Sequence, residues 1–95
     1  MTPLKPTSTR LALMRSIVNE PGTVVYLRRW GRDPDEVRYR PDGGIGKAVT
    51  SSYRQLKDAG LARRGPATHA SAYAPQIVEP TAAGRQWLAD HDTEH

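Results

Sequence analysis

A mostly helical α+β domain with a small antiparallel sheet is the fold class predicted by three stretches of this chain. Residues 49–64, VTSSYRQLKDAGLARR, set Val49, Tyr53 and Leu56 four and three residues apart, then close on Gly60-Leu61 and the basic pair Arg63-Arg64. That is the pattern of an amphipathic helix, a glycine C-terminus and the start of a strand. Residues 80–88, PTAAGRQWL, read as a threonine-capped helix after an extended segment. Residues 23–27, TVVYL, are β-branched and aromatic, as a short strand is.

Chain order supplies the remaining elements. Residues 1–7 hold two prolines and little apolar content, so they are expected to form a loose arm before a domain over 8–90, with 91–95 as a tail. Ser8 or Thr9 caps a first helix of about 9–19, on which Leu11, Met14, Ile17 and Val18 recur at helical spacing; Pro21-Gly22 stops it. Residues 33–36, Asp-Pro-Asp-Glu, have the grammar of a helix start. A short second helix over 33–40 is the favoured reading, and a return strand with Val37 and Tyr39 on one face is the alternative. After the loop 41–46 come a third helix at 47–59, a strand from Leu61 to Arg64, a hairpin tip over 65–74, a return strand at 73–78 and a last helix at 82–90. The expected order is α-β-α-α-β-β-α.

Size and charge bound the function. With 95 residues and no cysteine, the chain is one domain with neither disulfides nor thiolate metal sites. No apolar run approaches the roughly 20 residues of a membrane span, and the first residues lack a signal-peptide core, so the expected location is the cytoplasm. Residues 1–65 carry 13 of the 14 Lys/Arg and six of the ten Asp/Glu, a net of +7; residues 66–95 carry a net of −3. A polyanion would meet the first part and avoid the last helix.

The order of elements, with Val49, Tyr53, Leu56, Gly60 and Leu61 followed by Pro80, Thr81, Gly84 and Leu88, resembles the winged helix-turn-helix domain of bacterial and phage transcription regulators. In that family a recognition helix ends in a glycine-leucine pair that leads into the first wing strand. A threonine after the second wing strand, with a glycine three residues on, opens the closing helix. The match is good over about 47–90, loose over 8–30 and weakest over 31–46. The resemblance implies sequence-specific binding of double-stranded DNA by a small regulator, a repressor of a phage or mobile element, acting as a homodimer. A DNA-bending, excision-directing accessory factor and a protein-binding module are the alternatives.

On the third helix, at about 100° per residue, Lys47, Thr50, Ser51 and Arg54 point away from the apolar side, with Gln55 on the flank and Ser52 among the short residues that permit close approach. Arg54 suits the O6/N7 edge of guanine, Gln55 suits adenine, and Lys47 with the first-turn N–H groups suits phosphate. Arg63, Arg64 and His69 form the expected wing contacts. Arg28, Arg29, Arg32, Arg38 and Arg40 are candidate phosphate contacts, partly offset by Asp33, Asp35 and Glu36. Trp30 and Trp87 are expected in the core. The run Gly43-Gly44-Ile45-Gly46-Lys47 fails as a phosphate-binding loop, because Pro41 and Ala48 stand where glycine and Ser/Thr are needed. His69, His91 and His95 have no metal-ligand or catalytic partners at useful spacing. No catalytic constellation, cofactor or small-molecule ligand is inferred.

Overall fold

The computed structural model describes residues 4–27, 35–42, 44, 46–68, 70 and 74–91. Its elements run α1 (Ser8–Asn19), β1 (Val24–Leu27), β2 (Glu36–Tyr39), β3 (Lys47–Ala48), α2 (Thr50–Asp58), β4 (Ala62–Ala67), β5 (Gln76–Pro80) and α3 (Ala82–His91). The strands form one antiparallel sheet in the order β3-β2-β1-β5-β4. The α+β class therefore holds, while the element order is α-β-β-β-α-β-β-α.

The difference lies in residues 35–48. Glu36–Tyr39 is the return strand of a hairpin with β1, in the register Val24↔Tyr39 to Leu27↔Glu36. Alternation decides this segment. Val37 is 1% exposed and Tyr39 packs on the core from the same side, whereas a helix would send residues 37 and 39 apart. Asp33 and Pro34, the expected helix start, lie outside the described residues. Lys47 and Ala48 then pair with Tyr39 and Arg38 as a third strand. The third helix of the expected scheme thus begins at Thr50, and Lys47 is a strand residue rather than part of a first helical turn.

Local chemistry fixes the helix ends. Thr7, rather than Ser8 or Thr9, caps α1 by accepting the Arg10 backbone N–H at 3.2 Å. Gly60 ends α2 with φ +78°: its N–H donates to Lys57 O, and Leu61 N–H donates to Leu56 O, both at 2.9 Å. That double closure needs a left-handed residue, which glycine adopts without a Cβ clash. Thr81 caps α3 by accepting Gly84 N–H at 3.0 Å, while its hydroxyl donates to Gly60 O at 2.6 Å. One threonine so joins the end of α2 to the start of α3.

The helices pack on the sheet face that carries Val24, Val37 and Val78. Leu13, Met14 and Ile17 of α1, Tyr53 and Leu56 of α2, Leu61, and Trp87 and Leu88 of α3 complete a single core. Burying apolar area in two layers is the source of this arrangement's stability. Residues 4–7 lie against the body. Leu4 packs on the core, Trp87 Nε1 donates to Leu4 O at 3.0 Å, and Arg10 Nη1 donates to Lys5 O at 2.8 Å.

Candidate nucleic-acid interface

The face of α2 away from the core carries Ser51, Arg54, Gln55, Lys57 and Asp58, all exposed. Buried Tyr53 and Leu56 hold the opposite side. Ser51, Arg54 and Lys57 follow one another at three-residue spacing and form an open strip of donors along the helix. Arg54 and Lys57 have no side-chain ion pair among the described residues.

Two of the other expected contacts of this segment, Thr50 and Gln55, are engaged within the fold. Val37 N–H donates to Thr50 Oγ1 at 3.1 Å, and Val49 N–H donates to Val37 O at 2.8 Å. The first turn of α2 is thereby stitched to β2. Gln55 Oε1 accepts Arg10 Nε at 2.9 Å, which links α2 to α1. Ser52 is half-buried and faces a groove of about 380 Å³ between α1 and the start of α2, shared with Ala12, Tyr39 and Val49. Lys47 is exposed on the edge strand β3 and lines the same groove.

The hairpin β4–β5 supplies two arginines of different standing. Arg63 stands opposite Glu79 in the ladder and pairs with it, Nη2 to Oε2, at 3.2 Å. Arg64 lies over the Tyr26 ring, its guanidinium carbon 4.7 Å from the centroid. Tyr26 in turn meets Tyr53 edge-on, with centroids 6.3 Å apart. A stack of cation and two rings therefore runs from the hairpin through β1 to α2, which orients Arg64 beside the helix face. Burial pushes the Tyr53 phenol above its ordinary range; the Arg64 charge opposes this and Tyr26 adds to it. The phenol stays protonated at neutral pH.

Of the flanking arginines, Arg38 pairs with Glu36 and donates from Nη1 to Gly46 O at 3.2 Å. Arg40 is half-buried, with its backbone N–H donating to Thr23 O at 2.6 Å. Arg28, Arg29, Arg32, His69 and Trp30 lie outside the described residues. Trp87 is 7% exposed and belongs to the core as expected. Lys57 is the residue that the sequence reading missed; its place three residues after Arg54 was the available signal.

Among the described residues there is no group of three or more potential metal ligands and no helix long and apolar enough to cross a membrane. No protein-family model, curated protein or solved structure matches the chain.

Proposed function

We propose that the protein binds double-stranded DNA sequence-specifically and acts as a small transcription regulator, with α2 in the major groove and the β4–β5 hairpin on the neighbouring backbone. In this reading the fold is a winged-helix variant in which the β1–β2 hairpin replaces the second helix. The observation that carries it is the donor strip Ser51, Arg54 and Lys57, open to solvent and accompanied by Arg64. Arg54 reads a base edge, Ser51 permits close approach, and Lys57 and Arg64 hold phosphates. The excess of positive charge over residues 1–65 favours approach to a polyanion. Specific sites on DNA usually need more contact than one small module offers, so the reading includes a homodimer.

The internal commitments of Thr50, Gln55 and Arg63 shorten the donor set and favour one other reading, a module that binds a protein through the same face. Selection of bound sequences from a random duplex pool at near-physiological salt separates the two. Enrichment of a defined half-site, with affinity falling steeply as log salt rises, is the expected result. Recovery of unenriched sequence, with no salt-dependent binding, overturns it in favour of a protein partner.

A further inference from the structure

The bond that ties α1 to α2 fixes the direction of an amide. Arg10 Nε donates to Gln55 Oε1 at 2.9 Å, and Arg10 Nη1 donates to Lys5 O at 2.8 Å. A guanidinium can only donate, so the Gln55 atom it meets is the oxygen, and the amide nitrogen is left pointing elsewhere. That nitrogen has no partner among the described residues, and Gln55 is exposed. Gln55 stands one turn after Ser51 on the same face of α2 and next to Arg54. Its engagement within the fold therefore takes its oxygen and leaves its N–H groups open.

Arg10 keeps its charge in this arrangement. Both of its acceptors are neutral oxygens, and no carboxylate pairs with it among the described residues, whereas Arg38 and Arg63 are paired with Glu36 and Glu79. A base edge that meets Gln55 thus meets a donor beside an immobilised cation. Adenine sets an acceptor, N7, next to a donor, the N6 amino group, so reading it needs an amide that both gives and takes a proton. Here Arg10 already fills the accepting oxygen, and a second donor approaching that oxygen meets the guanidinium. Guanine sets two acceptors, N7 and O6, side by side, which is the complement of N–H groups next to a positive charge.

We infer that Gln55 reads guanine rather than adenine, and that Arg10 is the positioning residue that sets this preference. The inference rests on the DNA reading and names the base that one position of α2 selects. It replaces the adenine contact expected from the residue type alone.

The test is selection from a random duplex pool with the parent protein and with Gln55→Ala, Gln55→Glu, Arg10→Met and Arg10→Lys. Gln55→Ala identifies the position by relaxing it. The parent is expected to favour guanine over adenine there by about fivefold or more. Arg10→Met keeps the length of the side chain, removes its donors and frees the Gln55 oxygen, so it exchanges guanine for adenine at that position alone. Arg10→Lys, still a donor and a cation, keeps guanine. Gln55→Glu still accepts the Arg10 bond but has no N–H to offer, so it loses guanine. An Arg10 that only holds the fold together would lower enrichment at every position without exchanging a base. That result, a base other than guanine in the parent, guanine retained by Gln55→Glu, or no position relaxed by Gln55→Ala each overturns the inference and leaves the DNA reading standing. No enriched site with the parent overturns the DNA reading and the inference with it.

Discussion

Thr50 Oγ1 receives the backbone N–H of Val37 at 3.1 Å, so a side chain of α2 continues the β2 edge just past the end of β3. The Val37 carbonyl accepts Val49 N–H beside it. Both polar groups of one strand residue thus bond to the start of the helix and tie α2 to the sheet. Replacing Thr50 by valine keeps the shape and leaves the Val37 N–H unpaired in a half-buried setting. We expect Thr50→Val to lose about 1–2 kcal/mol in urea unfolding, with Thr50→Ser recovering most of it. Equal stability of the valine variant, together with lost DNA affinity, would instead place Thr50 on the duplex.

Arg54 and Lys57 should separate cleanly in DNA binding. Arg54→Ala is expected to cost about 1–3 kcal/mol on the selected site and to relax preference at one base position. Lys57→Ala should weaken all duplexes alike and reduce the salt slope by about one. Anisotropy titrations on matched and mismatched duplexes over a range of salt distinguish these outcomes. A uniform loss from Arg54→Ala would make it a phosphate contact.

Tyr53→Phe removes a buried hydroxyl that has no partner, so the folded protein should be no less stable than the parent and up to about 1 kcal/mol more stable. Alkaline pH gives a second reading. The phenol titrates near pH 10 in the unfolded chain and higher in the fold, chiefly because of burial. Its contribution is complete below about pH 10 and is lost as pH rises toward the folded value. The two proteins are identical at every other position, so the difference between their denaturation midpoints across this range isolates Tyr53. Parallel curves would show that residue 53 is not protected.

A methyl group at position 84 would run into the Leu61 carbonyl oxygen and approach Met14 Cε at 2.9 Å. The same carbonyl accepts Thr81 N–H at 3.1 Å, so it cannot move freely. Alanine is the better helix former by about 1 kcal/mol, but overpacking here costs about 1–3 kcal/mol and wins. Gly84→Ala should therefore lower stability in urea, and an unchanged midpoint would show that α3 can lift from Leu61.

Elements whose signals are local are legible in the order of residues alone. Val49, Tyr53 and Leu56 with Gly60 mark α2, and Thr81 with Gly84 marks the start of α3, because spacing and capping act within one or two turns. The segment 33–40 misleads because its acidic, proline-bearing opening is helical grammar, whereas its outcome is decided by pairing with Val24–Leu27 and by the addition of Lys47–Ala48 on the far edge. The donor face is legible as a face but not in detail. Gln55 is engaged by Arg10, 45 positions away, and Arg63 by Glu79 across a hairpin. Such long-range partners leave no periodic trace, and neither does the unsatisfied phenol of Tyr53, which only packing reveals.

The division of labour along α2 has a consequence. Thr50, Tyr53, Gln55 and Leu56 are spent on holding the helix in place, while Ser51, Arg54 and Lys57 hold nothing. Substitution at those three positions therefore changes the surface that α2 presents while leaving the scaffold as it is.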